Sequence, residues 1–148
     1  MPVNNSESAL CLEKQSCFSL YSAANAMVRS YRTALLELDL TYPQYLAMMV
    51  LWAEDGITVK AMGEKLHMDS GTTTPLLKRL EAKGLLERVR CKHDERSCLL
   101  HLTDEGRALQ ERASAIPEAM ACKASLSEEE SAQLKHLCDK LRLDLCGQ

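Results

Sequence analysis

The feature that most constrains this fold is a pair of short predicted helices joined by a turn of three residues. The first helix covers residues 60–67. The second begins at an N-cap residue, Asp69 or Ser70, and continues to about Lys83, after which Gly84 supplies the C-cap. Two helices joined by so short a turn form a helix-turn-helix pattern.

Two segments with strand character follow the second helix. Residues 85–91 and 97–102 are predicted strands. The connecting stretch 92–96 is polar throughout and is predicted to form the loop of a hairpin. A hairpin placed directly after a helix-turn-helix unit is typical of a winged helix.

A long helical segment precedes this centre. From Leu12 to about Leu38, apolar side chains recur every three or four residues, and neither proline nor glycine interrupts the run. About 27 residues of helix would span roughly 40 Å, which is more than a small domain needs. We therefore expect this helix to pack on a second subunit. Residues 1–11 are polar and unpatterned, and we expect a loose arm.

Further helices are predicted on both sides of the centre. One spans about 42–54 and has a proline in its first turn. Another follows the N-cap Thr103 and is expected over 104–122, with a bend at Pro117. The last helix opens at Ser127 and carries acidic residues in its first turn.

Charge is distributed unevenly along the chain. The 148 residues carry a net charge of −3. Residues 60–98 contain nine basic and six acidic side chains and are therefore +3, whereas the remainder is −6. A basic centre in an acidic frame fits a nucleic-acid-binding surface, and it also fits a solvated surface that leans basic. Charge alone leaves both interpretations open.

The order of these elements predicts a mainly α fold, a winged helix-turn-helix with N- and C-terminal dimerisation helices. We expect a single domain over residues 12–148. Within it, residues 43–103 would form the DNA-binding lobe, and residues 12–42 and 104–148 would form the dimerisation helices.

The sequence predicts a cytoplasmic protein that does not associate with membranes. No apolar run approaches the 18 or so residues of a membrane span, and the N-terminus lacks the basic and apolar regions of a secretory signal. Thiols stay reduced in that compartment, so the seven dispersed cysteines do not form a disulfide framework. They are either small core residues or reactive thiols.

The hairpin region carries a family pattern. From Asp94 to Gly106 the sequence reads Asp-x-Arg-x-x-x-Leu-x-Leu-Thr-x-x-Gly, which resembles the signature of the MarR family of bacterial transcriptional regulators. The resemblance extends from about Leu12 to Cys146 in the same order of elements. It implies a MarR-type homodimer that binds a pseudo-palindromic operator in double-stranded DNA and is not an enzyme.

Residue types in the second helix and the hairpin suit contact with DNA. An arginine at a hairpin tip can enter the minor groove, and Asp94 is expected to brace the guanidinium of Arg96. The plainer alternative is a solvated ion pair. Small hydroxyl side chains at a helix start can approach bases and phosphates, although they also serve as a simple cap. The predicted DNA-contacting residues are Ser70, Gly71, Thr72, Thr73, Thr74, Lys78 and Arg79 in the recognition helix, and Arg88, Arg90, Lys92, Asp94 and Arg96 in the wing.

A closer resemblance involves the N-terminal half. The stretches Thr-Tyr-Pro-Gln-Tyr-Leu at 41–46 and Asp-Ser-Gly-Thr at 69–72, together with Cys17 and the tyrosines 4 and 14 residues after it, are similar to the OhrR branch of the family. These are organic hydroperoxide sensors. The resemblance implies that an organic hydroperoxide oxidises Cys17 and that DNA is then released.

The residues around this cysteine suit that chemistry. Cys17 lies near the start of a helix, where the helix dipole favours the reactive thiolate. Tyr21 and Tyr31 offer hydroxyl donors that would stabilise it. Fourteen helical residues span roughly 21 Å, so Tyr31 cannot reach Cys17 of its own chain. The resemblance implies that both tyrosines come from the other subunit.

In the two-cysteine class of these sensors, a second thiol condenses with the oxidised one. The resemblance implies an intersubunit disulfide between Cys17 and Cys122, with Cys138 or Cys146 as alternatives. If Cys17 is only a core residue, the same fold predicts a repressor released by a small aromatic ligand. A peroxide-reducing enzyme is the weakest alternative, because no peroxidase motif is present.

No cofactor is expected, and no metal. Starting at Cys91, the hairpin reads Cys-x-His-x4-Cys-x2-His, but this spacing is atypical of zinc sites. The sequence also predicts that Cys91 and Cys98 nearly face each other across the hairpin. Cys11, Cys91 and Cys98 receive no role.

Overall fold

A computed structural model describes residues 9–147 of the chain. These residues form two compact units that divide between Ser114 and Ala115. The expectation of one domain over residues 12–148 stays a prediction. The first unit contains a short 3-10 helix (Leu12–Lys14), α1 (Ser16–Leu36), α2 (Tyr42–Ala53), β1 (Ile57–Thr58), α3 (Val59–Leu66), α4 (Ser70–Ala82), β2 (Leu86–Cys91), β3 (Asp94–Leu102) and α5 (Asp104–Ala113), and the second contains α6 (Ile116–Ala121) and α7 (Glu128–Cys146).

The helix-turn-helix unit consists of α3 and α4, and side-chain caps set where each helix begins. Thr58 Oγ1 accepts the N–H of Ala61 at 3.0 Å, and an Asp69 carboxylate oxygen accepts the N–H of Thr72 at 2.9 Å. Between them, α3 ends at Leu66, and its C-cap residue His67 adopts the left-handed conformation with φ 55°. This confirms the predicted unit and identifies Asp69 as its second cap.

The sheet has three antiparallel strands in the order β1-β3-β2. The two-residue strand β1 was not predicted; it pairs Ile57 with Leu100. The hairpin prediction is wrong in detail. The strands pair Arg90 with Cys98 and then Cys91 with Asp94, so the turn is only residues 92–93 and residues 94–96 belong to β3. This register shift is a bulge, a feature that hydrophobic alternation does not reveal.

Two helix predictions need correction. The predicted helix of about 27 residues is interrupted at Gln15, which is extended with ψ 111°, so α1 has 21 residues. The helix predicted over 104–122 is two helices, since α5 ends at Ala113 and α6 starts at Ile116. Pro117 lies in the first turn of α6, where its missing N–H costs no hydrogen bond, so it starts a helix instead of bending one.

Apolar side chains from α1 to β3 fill the core of the first unit. Each such side chain contributes about 1.5–3 kcal/mol when it leaves water. Helix α5 joins this core through Trp52, whose indole N–H donates to the carbonyl oxygen of Gly106 at 2.9 Å. The largest fully buried apolar side chains are Leu35, Met48, Leu51, Met62, Leu77, Leu80, Leu86 and Leu100.

Apolar side chains also remain on the surface of α1 and of α7 in this protomer. None of the helices within residues 9–147 is both long and apolar enough to cross a membrane. The larger exposed apolar side chains are Phe18, Tyr21, Met27 and Leu36 on α1, and Leu134, Leu137, Leu143 and Leu145 on α7.

Candidate nucleic-acid interface and redox thiol

The N-terminal turns of α4 present small polar groups to solvent. Ser70, Gly71 and Thr72 are exposed, and Thr74 is half-buried. One turn further on, Lys78 and Arg79 are also exposed. Backbone N–H groups at a helix N-terminus attract phosphate, and the two cations extend the same charge along the helix. Six of the seven residues predicted for this helix are therefore accessible to a ligand.

Thr73 is the exception and corrects the predicted set. Its side chain is only 1% exposed, and its hydroxyl donates to the carbonyl oxygen of Asp69 at 2.8 Å. A Cβ at Gly63 would lie 3.2 Å from the Thr73 hydroxyl oxygen, so α3 packs closely against this side chain. Thr73 therefore holds the helix-turn-helix unit together and is not available to DNA.

The outer part of the wing is exposed. Arg90, Lys92 and Arg96 are all accessible. The expected brace is different, however. The carboxylate of Asp94 accepts the backbone N–H of Arg96 at 3.0 Å and the hydroxyl of Ser97 at 2.9 Å. Asp94 thus stabilises the bulged backbone at the tip and does not bind the Arg96 guanidinium.

Arg88 has a structural role that the sequence did not suggest. Its Nε lies 2.8 Å from the Glu81 carboxylate, and its backbone N–H donates to the other oxygen of that carboxylate at 3.2 Å. Hydrogen bonding from Arg88 is the main cause that lowers the pKa of Glu81. Arg88 therefore joins the wing to the recognition helix α4, and its contact with DNA stays a prediction.

Asp55 anchors the base of the wing and was not singled out from the sequence. One carboxylate oxygen accepts the N–H groups of Leu102 at 2.9 Å and Gly56 at 3.0 Å, and the other accepts Arg107 Nη2 at 2.9 Å. Burial opposes ionisation, but these hydrogen bonds outweigh it and lower the pKa of Asp55. Its only sequence signal was Asp55-Gly56, which looked like an ordinary helix end.

Cys17 is exposed and is the second residue of α1. Gln15, at the N-cap position, makes no side-chain cap. Its amide instead donates to the carbonyl oxygen of Ala9 at 2.6 Å, which ties the preceding segment to the helix start. The thiol therefore stands in the first turn of a 21-residue helix and is open to solvent.

Tyr21 and Tyr31 have different surroundings. Tyr21 is 67% exposed on α1. Tyr31 packs against Tyr42 and Tyr45, with ring centroids 4.9 Å and 6.0 Å away. Burial, followed by the proximity of Tyr31, raises the pKa of both Tyr42 and Tyr45. The structure thus adds two tyrosines around Tyr31, both in the family-like stretch 41–46.

A cavity of about 280 Å³ lies between α1 and α2. Its walls are mostly aliphatic, with a guanidinium and a phenol among them. The lining residues are Val28, Arg32, Leu35, Leu36, Leu40, Thr41, Tyr42 and Pro43.

All seven cysteines are free thiols in this protomer. In the second unit, Cys122 immediately follows α6 and is exposed, Cys146 is exposed, and Cys138 is half-buried. In the wing, Cys98 pairs with Arg90 and Cys91 with Asp94, so the expected facing pair is wrong. The described residues bring no three His, Cys, Asp or Glu side chains together as a metal site.

Comparison with known proteins places the chain among bacterial regulators. Residues 29–113 match the family model for the transcriptional regulator SarA/Rot. The chain is 48% identical over 124 residues to the organic hydroperoxide resistance transcriptional regulator of Bacillus subtilis (strain 168), and the match covers 84% of each protein.

Solved structures extend the comparison. Reduced AbfR bound to DNA has a TM-score of 0.77 and 33% identity, over 96% of this chain and 97% of that one. Disulfide-formed AbfR has a TM-score of 0.61 and 33% identity, and the match covers 97% of this chain and 96% of that one. The PcaV regulator of Streptomyces coelicolor was solved with its natural ligand. It has a TM-score of 0.81 and 29% identity, and the match covers 89% of this chain and 94% of that one.

Proposed function

We propose a function for this chain from the family to which it belongs: it is a member of the MarR family of winged helix-turn-helix transcriptional regulators, in the branch of the organic hydroperoxide resistance regulators. The proposed function is that of a redox-sensing repressor. The reduced homodimer binds a pseudo-palindromic operator, and oxidation of Cys17 by an organic hydroperoxide releases it.

The exposed polar and cationic surface of α4 and the wing supports operator binding. The N-terminus of α4 would contact base edges and phosphates, and Arg96 would reach into the neighbouring minor groove. The apolar side chains left on the surfaces of α1 and α7 support a second copy as the dimer partner. A two-fold dimer presents two recognition helices, which matches a pseudo-palindromic site.

The proposed chemistry at Cys17 is a two-electron oxidation. The thiolate sulfur attacks one peroxide oxygen, the O–O bond breaks, and the alkoxide leaves as an alcohol after it takes a proton. The sulfur is now a sulfenic acid. The exposure of Cys17 in the first turn of α1 is the observation that carries this proposal, because hydroperoxide must reach an accessible and stabilised thiolate. Tyr21 and Tyr31 of the partner subunit would donate hydrogen bonds to the Cys17 thiolate.

A second thiol then completes the switch. The Cys122 sulfur of the other subunit attacks the sulfenic sulfur, an S–S bond forms, and water leaves. Its exposure just after α6 supports this role over that of half-buried Cys138. The AbfR structures with DNA in the reduced form and with a disulfide offer a parallel for such a switch in a relative.

The test measures binding to a DNA site that the reduced protein selects in vitro, before and after cumene hydroperoxide. We expect the wild type to lose affinity and Cys17→Ser to keep it. Cys98→Ser, which removes a wing thiol, is the matched control and should respond like the wild type. Release of Cys17→Ser by peroxide would contradict the sensing role.

The resolving thiol is tested separately on a non-reducing gel. Peroxide should produce a covalent dimer in the wild type, in Cys138→Ser and in Cys146→Ser, but not in Cys17→Ser or Cys122→Ser. A dimer that persists in Cys122→Ser and disappears in Cys146→Ser would move the resolving role to Cys146.

The cavity between α1 and α2 favours a second candidate function, release by a small aromatic ligand. It combines aliphatic walls with Arg32, a cation that suits an aromatic acid, and PcaV is a relative solved with its natural ligand. In that case salicylate would release the operator equally from the wild type and from Cys17→Ser. Loss of that response in Arg32→Met would assign the cavity as the binding site.

A further inference from the structure

We propose that Lys83 is a positioning residue for DNA binding, which fastens the end of the recognition helix α4 to the corner between α1 and α2. Through this attachment the position of α1 would be passed to α4. The inference rests on the proposed function, since it describes how a change at the helix of Cys17 reaches the DNA-binding surface.

The corner itself is a tightly specified turn. The N–H of Leu40 donates to the carbonyl oxygen of Leu35 at 3.0 Å, and the N–H of Asp39 donates to Leu36 at 3.1 Å. Asp39 adopts the left-handed conformation with φ 53°. Glycine is the usual residue at this point of a helix end, because a side chain makes the conformation unfavourable. Aspartate is among the few other residues that adopt it, and a further interaction at this point stabilises the turn.

Lys83 provides that interaction and bridges both sides of the corner. Its Nζ donates to the carbonyl oxygen of Asp39 and lies 3.6 Å from the Asp39 carboxylate. The same Nζ donates to Gln44 Oε1 at 3.1 Å. That oxygen also accepts the N–H of Thr41 at 3.1 Å in the capping box of α2. We call Lys83, Asp39 and Gln44 the corner latch.

The corner latch is buried at Gln44 only, because the Asp39 side chain is 91% exposed. Gln44 is only 4% exposed, and the Lys83 side chain is 29% exposed. The core also holds the corner in place, because Leu38 and Leu40, on either side of Asp39, are buried. A displacement of this corner would therefore act on the end of α4 mainly through the hydrogen bond from Lys83 to buried Gln44.

A second tie reaches the same corner from α5. Arg112 Nη2 donates to the carbonyl oxygen of Glu37 at 2.6 Å. Two cations from two different helices thus bind the carbonyl end of α1, where the helix dipole also favours positive charge. Helices are stiff elements, so a rotation of α1 has a direct mechanical route to α4 through this corner.

The test compares operator affinity of the reduced and the oxidised protein in four variants. The quantity compared is the operator Kd of the oxidised protein divided by that of the reduced protein. We expect Lys83→Met to decrease this ratio by about fivefold or more, while Cys17 oxidises at the wild-type rate. Lys83→Arg, which keeps a cationic donor, should restore most of the ratio. Lys135→Met, which removes the exposed 2.5 Å ion pair with Asp139 on α7, should leave it unchanged.

Asp39→Gly keeps the left-handed turn and removes only the carboxylate, so it keeps the proposal testable if Lys83→Met does not fold. We expect it to reduce the ratio partly without lowering the melting temperature. A wild-type ratio in both Lys83→Met and Asp39→Gly would overturn the proposal.

The two proposals fail differently. A wild type that keeps its affinity on oxidation contradicts the redox function. The corner latch is then judged on the reduced protein alone, in which Lys83→Met should weaken operator binding about fivefold and Lys135→Met should not. Equal affinities there would overturn the latch.

Discussion

Arg88 and Glu81 hold the wing against the recognition helix through a two-point contact. The Arg88 Nε lies 2.8 Å from one Glu81 carboxylate oxygen, and the Arg88 backbone N–H donates to the other at 3.2 Å. Because one donor is backbone and the other is a side chain, the contact fixes strand β2 itself relative to α4. We expect the angle between the two predicted DNA-contacting elements to depend on this pair.

Glu81→Gln should therefore weaken operator binding more than it weakens folding. The pair is partly exposed, so we expect a loss of no more than about 1 kcal/mol in the free energy of unfolding. The wing would lose its fixed position, and the Kd for operator should rise about tenfold. Glu87→Gln, on an exposed neighbouring carboxylate, is the matched control. Equal operator affinities for the two variants, measured by fluorescence anisotropy, would show that Glu81 does not position the wing.

Asp55 should make folding sensitive to acid. Its pKa in the folded protein lies below the ordinary value of 3.8, so its contribution to stability is present above pH 3.8 and is lost as the pH falls through the lowered pKa. Asp55→Asn should cost about 1–2 kcal/mol at pH 7 and flatten the pH dependence below 4. Glu54→Gln, which removes only an exposed ion pair with Lys65, should retain the wild-type profile in urea titrations. If the stability of Asp55→Asn falls below pH 4 as steeply as that of the wild type, Asp55 is not the source of the acid sensitivity.

Thr72 and Thr73 are neighbours with opposite roles, which a pair of matched variants separates. Thr73→Val removes a buried hydroxyl that donates to Asp69 and should cost about 1 kcal/mol of stability without changing which bases the operator requires. Thr72→Val removes an exposed hydroxyl and should reduce operator affinity with little change in stability. Chemical denaturation and a base-substitution binding series measure the two effects, and the reverse pattern would be inconsistent with the burial of Thr73.

Gly106 lies where no side chain fits. A Cβ at this position would be 2.0 Å from the carbonyl oxygen of Leu85 and 3.2 Å from Leu102 Cδ2. Because the nearer atom is backbone, Gly106→Ala should cost about 3 kcal/mol or more. Gly84→Ala, with φ 74° but no atom within 4 Å, should cost only about 1–2 kcal/mol. Similar melting temperatures for the two variants would contradict the close approach of α5 to the wing.

Local chemistry explains why most helix boundaries could be predicted. Thr41, Asp69, Thr103 and Ser127 each accept a backbone N–H as N-caps, and such side chains act on their own first turn whatever surrounds them. Interruptions without a strong breaker were missed. Gln15 leaves the helical pattern intact in the sequence, yet its backbone is extended. Near Ala115 the sequence predicted a bend at Pro117, and the structure instead ends one helix at Ala113 and starts another at Ile116.

The wing was harder to predict because its pairing is decided across strands. The bulge that brings Cys91 opposite Asp94 changes the register by three residues, and no pattern within either strand encodes it. The sequence likewise gave no reason to separate Arg88 from Arg90. Arg88 differs from Arg90 only because Glu81 lies beside Arg88.

Residue types at short spacing were enough to predict the order of the main elements, the helix-turn-helix with its caps, and the resemblance that directs attention to Cys17. Packing between distant segments sets which of the predicted contacts are accessible. Thr73 is buried, Arg88 is bound to Glu81, and Lys83 lies against the corner at Asp39. Glu81 and Asp39 lie 7 and 44 positions from Arg88 and Lys83, and α3 packs on Thr73 at Gly63, so each outcome depends on how helices and strands pack.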